Sequence, residues 1–183
     1  MPFSPRSFSI DEYHRLLDGR VLRRGGRTEL LDGLIIERPR RTEHEAVATS
    51  LLQRRLGQVL PATFQLRTDE ALTLSQATEL CPPFGVVSHD DASRSVRHPA
   101  SATLVIEIAV SDIERLKPAH VTAYARAGVQ ELWLLDLRDT TIEVLWKPSA
   151  GAYQDAMLLT APVSLAARVL PDVSVDLSQV FGS

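Results

Sequence analysis

The chain has 183 residues, 44% of them hydrophobic and 23% charged, which suits one globular domain with a substantial core and is too short for two comfortable ones. No apolar run approaches the roughly 18 residues of a membrane span, no secretory signal is visible, and a single cysteine, Cys81, excludes an internal disulfide or a Cys-only metal cluster. A net charge of −3 does not advertise nucleic-acid binding for the chain as a whole, and the expected location is the cytoplasm.

In chain order, "SIDEYHRLLDG" (9–19) predicts a short helix capped by Ser9 and ended near Gly19. Arginine then concentrates in "GRVLRRGGR" (19–27) and "ERPRRTEH" (37–44), and residues 1–60 hold 11 Arg against 8 acids. Such clusters either grip phosphates or form a solvated surface. Between them, "TELLDGLIIE" (28–37) predicts a β-hairpin, because Asp32-Gly33 tolerates the positive φ values of a tight turn. "RTEHEAVATSLLQRRLGQVL" (41–60) predicts an amphipathic helix opened by a Thr42/Glu45 capping box and stopped by Pro61.

The stretch 63–74 reads as extended, "FGVVS" (84–88) as a short buried strand, and 89–101 as a polar loop. "TLVIEIAV" (103–110), a helical segment and "VQELWLLDL" (129–137) form a βαβ unit whose two strands are apolar on both faces. Inside the helical segment, Pro118 leaves two alternatives: a start near Lys117, or an earlier start at a Ser111/Glu114 capping box with a break at the proline. Three further β-segments close the chain, at 141–148, 152–160 and 163–177. The expected fold class is α/β, a single domain over residues 1–183 with a mixed sheet and a few helices.

Glu107 is the anomaly. It lies in the middle of an apolar strand, on one face with Val105 and Ala109, and an unpartnered carboxylate there is costly. Either it pairs with an arginine or a hydrogen-bond donor within the core, or it ligates a divalent cation, for which carboxylate oxygen is a natural hard ligand. Glu29, in the hairpin, is a second carboxylate followed at once by apolar residues.

The order of these features resembles the large bacterial family of putative restriction endonucleases of the Uma-two type, in the PD-(D/E)XK nuclease superfamily. A helix, "TELLDG", a helix opened by a His, a short strand after a Pro, "VIEIAVS", "YARAGVQELWLLD" (124–136) and "LPDVSVDLSQVF" (170–181) carry the resemblance from about Ser9 to Phe181. It implies a restriction-endonuclease-like fold, a central mixed sheet flanked by helices, and a site made of a hairpin Glu, a following His, a Pro-Asp, a strand Glu and a helix Lys. Glu29, His44 and Glu107 match three of these positions. The Asp position falls on Phe84, and the Lys position on His120, with Lys117 three residues earlier and Leu116 where an acid often stands.

By that resemblance Glu29 and Glu107 would hold Mg or Mn, and His120 would stand near the attacked water. Loss of the Asp and Lys implies a weakened or silent nuclease acting on DNA phosphodiesters, or a non-catalytic relative that binds DNA or protein on the same scaffold. Asp90 or Asp91 is the nearest candidate replacement for the missing carboxylate, and a transition metal on Glu29, His44, Glu107 and His120 is a further alternative. A homodimer is expected, because duplex DNA has two strands. No nucleotide, flavin or haem motif is present.

Overall fold

The computed structural model describes residues 5–22, 28–95, 97–110, 113–160, 164–170 and 172–182, with the side chains of 113–117 outside the description. The first elements are α1 (Ile10–Asp18), the hairpin β1 (Thr28–Leu31) and β2 (Leu34–Glu37), and α2 (Glu43–Val59). Ser9 with Glu12, and Thr42 with Glu45, form reciprocal capping boxes that satisfy the free amides at the starts of α1 and α2. The hairpin turns at Asp32 (φ 47°) and Gly33 (φ 81°), the left-handed pair expected from the dipeptide.

Next come β3 (Phe64–Thr68), β4 (Leu72–Ser75), β5 (Thr78–Leu80), β6 (Phe84–Ser88) and the short helix α3 (His89–Arg94). The stretch 63–74 is thus two strands in different sheets. β5 is an addition to the sequence reading, and α3, capped by Ser88, occupies part of the expected loop 89–101. The βαβ unit is β7 (Leu104–Ala109), α4 (Ile113–Arg126) and β8 (Glu131–Asp136), and its two strands are parallel. α4 begins before Pro118 and continues through it, so neither a start at Lys117 nor a break at the proline holds. The Ser111/Glu114 box lies outside the described residues.

The chain ends with β9 (Thr141–Ser149), β10 (Ala152–Thr160), β11 (Ser164–Ala166) and β12 (Ser174–Asp176). The last two pair with each other, so 163–177 is a small ribbon of two strands and not one strand. The main sheet has the order β10-β9-β8-β7-β6-β3, antiparallel except for β7–β8. A second sheet, β2-β1-β5-β4, carries the hairpin.

The period-2 alternation of β7 divides the core. Ile106 and Ile108 face a layer with Leu52 and Leu56 of α2, Phe84, Trp133 and Val175. Val105 and Ala109 face the other layer, with Tyr124 of α4, Leu72, Leu80 and Leu132. Glu107 belongs to this second face, and every residue of β7 is buried. No helix among the described residues is long and apolar enough to cross a membrane.

Candidate active site

The two sheets and α4 meet at the two carboxylates. Glu29 enters from β1 and Glu107 from the centre of β7, and both are almost fully buried. His120 and Tyr124 are four residues apart on α4, one helical turn, so they present to the same side. The fifth member is Arg38, immediately after β2. The hairpin register sets Glu29 opposite Ile36, and two residues further along the same face is Arg38.

All four carboxylate oxygens are engaged. Arg38 Nη2 donates to Glu107 Oε2 at 2.8 Å, and Nη1 reaches Glu29 Oε1 at 3.3 Å and Glu107 Oε1 at 3.5 Å. The Tyr124 hydroxyl donates to Glu107 Oε1 at 2.7 Å. His120 Nε2 lies 3.0 Å from Glu29 Oε2, and the Cys81 amide donates to Glu29 Oε1 at 2.8 Å. The guanidinium therefore bridges the two acids, and its side chain is only 4% exposed.

The electrostatics follow from that packing. Burial opposes ionisation of Glu29, but the His120 hydrogen bond, the Arg38 charge and the Cys81 amide outweigh it and hold the carboxyl below its usual range. Burial likewise opposes protonation of His120, yet the Glu29 hydrogen bond and the two carboxylates raise its pKa. Arg38 is pushed above its ordinary value: desolvation is overcome by Glu107 and Glu29. Burial and then the Glu107 charge raise Tyr124, so its phenol stays a donor. Burial and the neighbouring acids push the Cys81 thiol up to about 12, which makes it inert as a nucleophile. With His120 protonated, two carboxylates face two cations.

A divalent cation shared by Glu29 and Glu107 does not fit this arrangement. The position between the acids is taken by a buried guanidinium hydrogen-bonded to both carboxylates, so Arg38 would have to leave first.

Of the sequence candidates, the fold brings Glu29, Glu107 and His120 together. His44 stands elsewhere: its Nε2 is 3.3 Å from the Phe181 carbonyl at the C-terminal end. A four-ligand set including His44 is therefore not assembled. Phe84 is fully buried, but in the opposite core layer, facing away from Glu107 and paired with Ile106. Extending that antiparallel register one step puts Pro83, not Phe84, beside Glu107. Asp90 and Asp91 are exposed on α3, and Asp91 is bonded to Ser88, so neither replaces a site carboxylate. Lys117 lies in α4, with its side chain outside the described residues. The arginine clusters divide similarly: residues 23–27 lie outside the described residues, Arg38 is buried on the acids, and Arg41 pairs with Asp69.

Two sheets carrying an acid pair over a βαβ unit, with a basic side chain on the crossover helix, define a restriction-endonuclease-like nuclease fold. The solved structure of a putative nuclease belonging to DUF820 from Anabaena variabilis ATCC 29413 superposes with a TM-score of 0.75 at 16% identity, covering 95% of this chain and 97% of that one. The family model described as Uma2, putative restriction endonuclease, matches residues 10–178, and the chain belongs to that family. No curated protein matches the sequence.

Proposed function

We propose that this chain is a nuclease-fold DNA-binding protein in which Arg38 bridges the acid pair and occupies the place of a metal, so that phosphodiester cleavage is silenced. The observation that carries this is the guanidinium bridging Glu29 and Glu107 in a buried site. Family membership supports DNA as the partner, and a homodimer in the cytoplasm is the corresponding assembly and place. The alternative, Mg²⁺- or Mn²⁺-dependent cleavage with Glu29 and Glu107 on the metal and His120 near the water, requires Arg38 to be displaced. His120 on Glu29 is the feature that favours it.

The experiment is nicking of supercoiled plasmid with Mg²⁺ and separately with Mn²⁺, wild type against Glu107→Gln, beside fluorescence anisotropy on a labelled duplex. Equal background nicking in both proteins, with salt-sensitive duplex binding, is the expected result. Nicking by wild type that vanishes in Glu107→Gln would replace this reading with an active nuclease. Absence of both nicking and duplex binding would leave the scaffold as a protein-binding relative.

A further inference from the structure

A second set of titratable side chains converges from three separate elements, sharing no residue with the acid pair. His14 comes from α1, Glu79 from β5 and His98 from the segment between α3 and β7. One ligand atom from each, a ring nitrogen or a carboxylate oxygen, lies within 4.8 Å of the other two. His14 Nε2 is 3.0 Å and 2.9 Å from the two Glu79 oxygens, and the His14 and His98 rings stand edge to face with centroids 6.2 Å apart.

The scaffold around these groups is built rather than loose. The Ile10 amide donates to the Gln76 carbonyl at 2.8 Å, which docks the start of α1 on the β4–β5 turn. The Thr73 amide donates to the Pro99 carbonyl at 2.9 Å, fixing the residue after His98 against β4. The Thr73 hydroxyl donates to Glu79 Oε2 at 2.6 Å and so helps fix the carboxylate. This is the hydrogen bond that ligating carboxylates ordinarily receive from outside a metal's own ligands.

An ion pair between His14 and Glu79 needs no second imidazole. Yet His98 is brought beside them, and its Nδ1 is buried without a hydrogen-bond partner among the described residues. A buried polar nitrogen left so is costly unless something else engages the ring.

The geometry points to a divalent transition-metal site formed by His14, Glu79 and His98, of the class that takes Zn²⁺. Two imidazoles and one carboxylate suit zinc, whereas Mg²⁺ and Ca²⁺ call for all-oxygen surroundings. Three protein ligands leave a fourth tetrahedral position for water or an external anion. A metal there ties α1, the hairpin sheet and the 97–99 segment together, whatever becomes of the acid pair.

The test is titration of chelator-stripped protein with Zn²⁺ alone, against a chromophoric zinc indicator, on wild type, His98→Ala, Glu79→Gln and the exposed control His89→Ala. One Zn²⁺ per chain is expected, with affinity at least about tenfold weaker in His98→Ala and Glu79→Gln and unchanged in His89→Ala. Co²⁺ should give a visible d–d spectrum in wild type that His98→Ala loses, and Zn²⁺ should raise the unfolding midpoint of wild type but not of His98→Ala. His98→Ala, on a half-exposed segment, keeps the test readable if Glu79→Gln fails to fold. Equal zinc affinity in wild type and His98→Ala overturns the site. So does wild-type binding no stronger than that of a His14→Ala/His98→Ala double variant.

Discussion

Arg38 Nη2 lies 2.8 Å from Glu107 Oε2 while Nη1 of the same guanidinium reaches Glu29, so one side chain bridges both acids. Buried charges are tolerated when paired and hydrogen-bonded, and removing one partner strands the others. Arg38→Met therefore leaves two buried carboxylates with, among the described side chains, only His120 as a counter-charge. Urea denaturation at pH 7 should show a loss of about 3–5 kcal/mol. Millimolar Mn²⁺ should raise the unfolding midpoint of Arg38→Met and leave that of wild type unmoved. A wild type that gains as much from Mn²⁺ would mean that Arg38 does not block the acids.

The His120–Glu29 pair gives stability a defined pH window. His120 is raised from 6.5, so its contribution is complete below that value and disappears as pH climbs through the higher folded pKa. Glu29 is lowered from 4.5, so its contribution is complete above that value and disappears as pH falls through the lower folded pKa. The charged pair is worth most between the two. His120→Gln keeps a donor to Glu29 without the charge. The stability difference from wild type should be largest at pH 4.5–6.5 and shrink towards alkaline pH, read from urea midpoints. A difference that is flat with pH would show His120 neutral in the fold.

Tyr124 supplies Glu107 Oε1 with its shortest hydrogen bond, 2.7 Å, in a fully buried setting. Tyr124→Phe keeps the ring and its packing but leaves that oxygen, among the described residues, with only the 3.5 Å contact to Arg38. The expected cost is about 1–3 kcal/mol, the penalty for a poorly satisfied buried acceptor, in equilibrium unfolding. A neutral result would place the weight of holding Glu107 on Arg38 alone.

Local signals carried much of this architecture. Ser9/Glu12, Thr42/Glu45 and Asp32-Gly33 act within a few residues, and each element starts or turns where those signals stand. The two apolar strands around α4 had to be buried on both faces, which a parallel βαβ unit provides. What sequence missed depended on contacts over distance. β5 is only three residues long and owes its existence to pairing with β1 and β4. Arg38 read as one of several surface arginines. Yet the turn at Asp32-Gly33 fixes Glu29 opposite Ile36, and that register alone puts residue 38 on the Glu29 face. His14 and His98 have no spacing signal at all, since three elements bring them together.

Matching the Asp position to Phe84 invites Phe84→Asp as a repair, but that side chain sits in the layer of Trp133 and Leu56, across the sheet from Glu107. An aspartate there is a buried charge without a partner, so Phe84→Asp should lose at least about 4–5 kcal/mol or fail to fold. The strand register, extended one step, puts position 83 next to Glu107, and Pro83 is buried. Pro83→Asp combined with Arg38→Ala should restore a carboxylate beside Glu107 and vacate the place between the acids. Mn²⁺ affinity measured by calorimetry should then exceed that of either single variant, with plasmid nicking as the second readout. If Phe84→Asp folds and binds Mn²⁺ better than the double variant, the register assignment is wrong and Phe84 is the true family position.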